Sequence, residues 1–181
     1  HRRYKSNRRT ERENWFMEDS AAVYMRRQVE LPSPVRRATA FICGLGYYEL
    51  YINGRKVGDR VLDPLFTDYD KRVVYAAYDV TDRLAAGSNA VGIVLGNGWY
   101  SSPTRDVFGM HDVNWRTPPK VRLNIVVEYE SGAREVIATD RTWRWGHGEI
   151  VYNSVRSGET IDHTRTVHGW NEVGFRDSLW R

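Results

Sequence analysis

The sequence contains a single cysteine, Cys43, which excludes an internal disulfide and a cysteine-rich metal site. Its place in the apolar run Ala40-Phe41-Ile42-Cys43 predicts a buried strand thiol rather than a reactive one. Long hydrophobic runs are also missing. No stretch reaches the ~18 apolar residues of a membrane helix, and no apolar core of a signal peptide is present. The five histidines form no metal-ligand pattern, since His163 and His168 stand without Cys or acidic partners at zinc spacing. No glycine-rich phosphate loop runs from a strand into a helix: Gly96-Asn97-Gly98 leads into Trp99-Tyr100, which excludes nucleotide binding. The helical period is nearly absent along the whole chain.

Charge of one sign is scarce once it is located. The net charge is +4, but residues 1–12 hold six of the 27 Lys and Arg and one of the 23 acids, so this stretch carries +5 and the rest of the chain −1. A body so near neutrality offers no basic face for duplex nucleic acid. Residues 1–19 are read as a basic leader, partly disordered, and residues 20–181 as one domain, a length within the usual range. Because the chain begins at His1 rather than Met, it is expected to be a piece processed or cut from something longer.

What is present is two-residue alternation between turn signals, with Val, Tyr, Trp and Thr plentiful. Val23 to Leu31 reads as a strand stopped by Pro32-Ser33-Pro34, and a second begins near Ala38. Tyr48 to Ile52, then Asn53-Gly54, then Arg55 to Val57 is the sharpest local signal, because Asn-Gly supplies the two positive-φ residues of a type I′ hairpin turn. Val73 to Asp79 reads as a strand, residues 81–87 as one capped helical turn ended by Gly87, and Ala90 to Leu95 as a buried strand. Residues 121–129 alternate most cleanly, Arg134 to Ala138 pairs with them, and Trp143 and Trp145 mark a strand with aromatics on one face. Ser154 to Thr166 closes the pattern. About eight to ten short strands with almost no helix predict an all-β, antiparallel, jelly-roll-like β-sandwich.

Three stretches together resemble one family. The first is Gly44 to Gly54 with Val57-Gly58-Asp59 and Leu62-Asp63-Pro64; the second runs from Thr67-Asp68-Tyr69 through Tyr78-Asp79-Val80-Thr81 and Gly87-Ser88-Asn89-Ala90 to Leu95-Gly96-Asn97-Gly98-Trp99-Tyr100. The third is Gly158-Glu159, Asp162, Arg165, Gly169-Trp170 and Phe175 to Trp180. Residues 20–181 are similar to the N-terminal β-sandwich of bacterial α-L-rhamnosidases. The resemblance implies a parent with an (α/α)6 catalytic barrel that hydrolyses terminal α-L-rhamnose by inversion, and an extracytoplasmic compartment. That barrel needs several hundred helix-rich residues, so this chain alone is expected not to be catalytic. It is expected to be an accessory domain whose partner is the catalytic (α/α)6 domain of the same parent chain. The alternatives are an autonomous rhamnose-binding carbohydrate module and a protein-interaction sandwich; neither nucleic acid nor membrane is an expected partner.

An inverting glycosidase needs a carboxylic acid and a carboxylate ~6.5–9.5 Å apart. Asp63, Asp68, Asp70, Asp79, Asp82, Glu159 and Asp162 supply acids, most of them in turns where Asp folds the backbone, so no catalytic residue is assigned. Sugar contact is better supported in the long irregular segment from Gly96 to Pro119, which mixes aromatic rings with hydroxyl-binding side chains. The candidates are Asn89, Asn97, Trp99, Tyr100, Arg105, Asp106, Asp112 and Trp115. Trp99 and Tyr100 equally suit plugging the sandwich edge, whereas Trp115 is assigned to sugar. Some members of the family resemble a calcium-dependent rhamnose-binding module with an Asp-Asn pair before the Gly-Trp-Tyr motif. Here Ser88-Asn89 stands there, so no cofactor is expected and Asn89 is the one calcium candidate the resemblance leaves. At the C-terminal end, Glu159, Asp162 and Arg165 are expected to form an ion-pair cluster, and Trp170, Phe175 and Trp180 to be the apolar anchors of the next domain.

Overall fold

Two-residue alternation becomes two packed antiparallel sheets. The computed structural model describes residues 20–104, 107–109 and 112–181; the expected basic leader lies outside them. Eleven strands occur among the described residues: β1 (Val23–Leu31), β2 (Val35–Leu45), β3 (Tyr47–Ile52), β4 (Arg55–Lys56), β5 (Ala76–Asp79), β6 (Gly87–Gly96), β7 (Lys120–Tyr129), β8 (Arg134–Ala138), β9 (Arg144–His147), β10 (Ile150–Ser154) and β11 (Gly158–Ile161). One sheet has the order β4-β3-β6-β1-β9, the other β5-β2-β7-β8, and β10-β11 forms a separate hairpin. The fold is all-β and antiparallel, as the alternation predicts.

The core lies between the two sheets. The five-stranded sheet contributes Leu31, Tyr48, Leu50, Ile52, Val91, Ile93 and Leu95; the four-stranded sheet contributes Ala38, Ala40, Ile42, Leu123, Ile125, Val127 and Ile137. These are the alternate residues of their strands, because successive side chains point to opposite faces. The chain passes from one sheet to the other at Gly46, with φ +125°, where a Cβ would lie 2.3 Å from the Gly96 carbonyl oxygen. Only glycine tolerates both that backbone and that approach.

Several local expectations need correction. The second strand starts at Val35, before Ala38, because its first residues pair with the end of β7. The strand expected from Val73 is confined to Ala76–Asp79, where pairing with β2 begins. The helical turn is a single 3-10 turn at Thr81–Arg83, and Gly87, with φ +89°, opens β6 rather than capping a helix. Trp143 precedes its strand and is buried in the core, its indole N–H donating to the Ala138 carbonyl at 2.9 Å; Trp145, in β9, is half-buried. The segment from Ser154 to Thr166 is broken into the end of β10, a turn, β11 and a 3-10 turn at His163–Arg165. Cys43 is half-buried, because its register turns it opposite to Ala40 and Ile42, and that burial raises its pKa and keeps it a thiol.

The hairpin is built as the sequence predicts, with Asn53 at φ 50° and Gly54 at φ 77° between paired β3 and β4. Three further turns repeat one device that the sequence spells out as Asp-x-Thr. Asp79, Asp140 and Asp162 each accept through Oδ1 from the backbone N–H and hydroxyl of the threonine two residues on, at 3.0 and 2.6, 2.8 and 2.5, and 3.0 and 2.6 Å respectively. The threonine hydroxyl first, then the backbone N–H, holds each carboxyl below its ordinary value. A depressed folded-state pKa contributes stability that is full above the unfolded value of ~3.9 and is lost as pH falls below it. The melting temperature is therefore expected to fall as pH drops below about 4, and a variant with Asn at all three positions to show a flatter fall in the same acid titration.

Candidate functional site

The loops at one end of the sandwich gather the aromatic residues. Tyr100 is buried, and its hydroxyl lies 2.9 Å from the Thr117 hydroxyl. Trp115 stacks on Tyr100 with centroids 5.7 Å apart and planes at 16°, and Tyr69 meets both rings edge-on, at 5.2 Å from Tyr100 and 4.9 Å from Trp115. Phe66 extends the set, 5.6 Å from Tyr69 and 6.2 Å from Trp99. The Arg156 guanidinium sits 5.4 Å over Trp99 and 5.0 Å over Phe108. Edge-to-face and offset pairs contribute roughly 0.5–1.5 kcal/mol beyond area burial, so this cluster staples the loops together. Burial pushes the Tyr69 phenol up to about 12, so it stays protonated at neutral pH.

Trp99, Tyr100 and Trp115 thus come together, but Tyr100 is a plug. Trp115, assigned to sugar on sequence, is half-buried and has one face stacked on Tyr100. Asp112 is exposed on the same loop, while Arg105 and Asp106 lie outside the described residues. Asn97 is 2% exposed, and its amide donates to the carbonyls of Ser20 and Asn153, each at 3.0 Å. It ties the loop to the β10-β11 hairpin and presents no amide N–H to a sugar.

Asn89 is 0% exposed. Its Oδ1 accepts from the Asn53 amide and the Ala85 N–H, both at 3.0 Å, and its Nδ2 donates to the carbonyls of Ala85 at 2.7 Å and Gly87 at 2.9 Å. The neighbouring Ser88 hydroxyl donates to Glu30 at 2.6 Å. A calcium ion needs several hard oxygens with lone pairs free, and Asn89 has spent both of its own, so these residues do not fit the ion. Among the described residues, no three or more His, Cys, Asp or Glu gather as a metal set.

The acids are likewise engaged in turns. Asp63 accepts from Tyr78 at 2.7 Å and pairs with Arg60 at 3.5 Å; Asp68 pairs with Lys71 at 2.9 Å; Asp79 and Asp162 close the Asp-x-Thr turns. Of the expected cluster at the C-terminal end, Asp162 pairs with Arg165 at 3.2 Å, whereas Glu159 lines a groove of about 210 Å³ with Tyr47, Leu62, Gly96, Ser154 and Val155.

The expected anchors also need correction. Trp170 is only 9% exposed and packs edge-on against Tyr24 at 5.1 Å and Tyr51 at 5.7 Å, on the outer face of the five-stranded sheet. Gly92 makes room for it, since a Cβ there would lie 2.7 Å from the indole, and Gly146 does the same for Trp180. Beneath lies Arg26, 1% exposed, which donates to the Trp170 carbonyl at 2.8 Å and the Glu172 carbonyl at 3.1 Å and pairs with Asp177. Phe175 lies against the Arg26 guanidinium at 5.3 Å. The C-terminal aromatics cover this chain's own sheet. Sequence reading missed Arg26, as well as Phe66 and Arg156 in the loop cluster. On its own face of β1 Arg26 stands between Tyr24 and the exposed Gln28, so the strand pattern held no signal for its burial.

This geometry defines an antiparallel β-sandwich whose loop end is an aromatic cluster and whose buried Arg26, Asn89, Asn97 and Asn153 are committed to holding the fold. Residues 33–181 match the model of the alpha-L-rhamnosidase N-terminal domain, and the chain belongs to that family. An alpha-L-rhamnosidase of Formosa agariphila is 40% identical over 163 residues, which are 88% of this chain and 17% of that protein. The crystal structure of the Streptomyces avermitilis alpha-L-rhamnosidase complexed with L-rhamnose matches 89% of this chain with 16% of its own length, at 40% identity and a TM-score of 0.83. The alpha-L-rhamnosidase of Dictyoglumus thermophilum matches 89% of this chain with 17% of its length, at 40% identity and a TM-score of 0.79. The chain therefore spans about one-sixth of the length of these relatives.

Proposed function

We propose that this chain is a non-catalytic accessory β-sandwich of a longer α-L-rhamnosidase, supporting the (α/α)6 catalytic domain of the same polypeptide and contacting rhamnose-containing glycan through its loop end. The observation that carries this reading is the match to one-sixth of such enzymes by a domain whose acids close turns. A glycosidase needs two carboxyl groups facing each other across a sugar, one of them protonated at working pH. Asp63, Asp68, Asp79 and Asp162 instead serve backbone or neighbouring cations. The glycan contact rests on Trp99, Trp115 and Asp112, the half-buried and exposed candidates of the loop end, because aromatic faces meet the C–H faces of sugars.

Two measurements test the reading. The chain alone is expected to release no nitrophenol from p-nitrophenyl α-L-rhamnoside above the buffer rate; turnover that persists through purification overturns the accessory role. Calorimetric titration with L-rhamnose, with and without Ca²⁺, is expected to give weak saturable heat, lost in Trp115→Ala and indifferent to Ca²⁺. No heat at millimolar sugar removes the glycan contact and leaves the supporting role.

A further inference from the structure

The large apolar residues left exposed at the loop end are contiguous. Val61, Leu62, Leu65 and Phe66 are 61, 63, 76 and 45% exposed. Val61, Leu62 and Val155 line one groove; Val155 precedes Arg156, whose guanidinium bridges Trp99 and Phe108; Trp99 in turn meets Phe66. Phe108 is 69% exposed. A single exposed leucine is ordinary, but a continuous apolar band that large marks a contact surface. Its aliphatic share suits another protein surface better than a sugar, which calls for aromatic faces ringed by polar groups.

Two observations select the occupant. Of the C-terminal aromatics Trp170 is buried and Phe175 and Trp180 are half-buried against this chain's own sheet, so these rings offer the rest of such a polypeptide little free surface. Arg156, exposed in the middle of the band, pairs with no carboxylate among the described residues. We propose that the band of Val61, Leu62, Leu65, Phe66, Phe108 and Val155 is the face on which a second domain of the same polypeptide docks, with an apolar surface that brings a carboxylate to Arg156. This rests on the accessory reading above, and it places the interface on the Val61-to-Phe66 side of the loop end, leaving Trp115 and Asp112 to the glycan, rather than at Trp170 and Trp180.

The test is hydroxyl-radical footprinting of the longer polypeptide that carries this domain, with each side chain's labelling normalised to the denatured protein. Val136, 55% exposed on β8, is the reference. Leu62, Leu65 and Phe66 are expected to label several-fold less than their exposure in this domain dictates, and Arg156→Glu to restore most of that labelling. Labelling in proportion to exposure overturns the proposal. So does protection that rises with polypeptide concentration, which makes the face a contact between copies. Either failure leaves the accessory reading standing, because that reading is decided by hydrolysis in the isolated chain.

Discussion

Arg26→Met is expected to lower stability by about 3 kcal/mol and the melting temperature by ~6–12 °C, using roughly 2–4 °C per kcal/mol for a domain of this size. Methionine keeps much of the apolar stem but removes the guanidinium. The carbonyls of Trp170 and Glu172 then lose their donors beneath a buried indole, and Asp177 loses its cation. Removing one partner of a buried pair costs ~3–5 kcal/mol in general; Asp177, whose side chain is 30% exposed, rehydrates in part, which sets the figure at the low end. Because the lost bonds all hold residues 170–177, the segment is expected to loosen before the sandwich melts. Tryptophan emission, from Trp170 and Trp180 among others, should shift to the red, and proteolysis should cut near Gly174 well below the global transition. Adding Asp177→Leu should recover part of the loss, since replacing both members of a buried pair is far less costly than removing one. A wild-type melting curve in Arg26→Met would show that the segment holds without the clamp.

Asn89→Ala is expected to be nearly as damaging, by about 3 kcal/mol, measured by urea denaturation with an unchanged slope. The truncation strands the Asn53 amide N–H, the Ala85 N–H and the carbonyls of Ala85 and Gly87, all at a wholly buried site. Each such group costs ~1–3 kcal/mol when it cannot reach water, and relaxation recovers part of the sum. The same variant separates the structural role of Asn89 from the calcium role that the resemblance leaves it. Stability is expected to fall while rhamnose heat per folded molecule and its indifference to Ca²⁺ stay as in the wild type. A calcium-dependent heat in the wild type that Asn89→Ala abolishes without loss of stability would return Asn89 to the ion.

Much of this was legible along the chain. The alternation of residues 121–129 determined β7, because a half-buried strand needs every second residue apolar whatever it pairs with. Asn53-Gly54 determined the hairpin, because the backbone twist of that turn demands two positive φ values. The same two-residue reading failed at Val73, where strand-forming residues find no partner until Ala76, since β propensity is realised only through pairing. It also failed for Cys43, one register step from the core, where a neighbouring residue's apolarity does not say which face a side chain takes.

The candidate site divides along the same line. The sequence by itself determined the all-β class, the hairpin, the Asp-x-Thr turns and the aromatic content of the 97–115 loop, because these depend on residues within a few positions of one another. Only the tertiary structure decided that Asn53 bonds Asn89, that Asn97 bonds the β10-β11 hairpin, that Trp115 stacks on Tyr100, and that Arg26 holds Trp170 and Asp177. Those partners lie up to 151 residues apart. A polar side chain's role is set by which donors and acceptors reach it once water is gone, and nothing in local spacing names a partner brought in from another sheet.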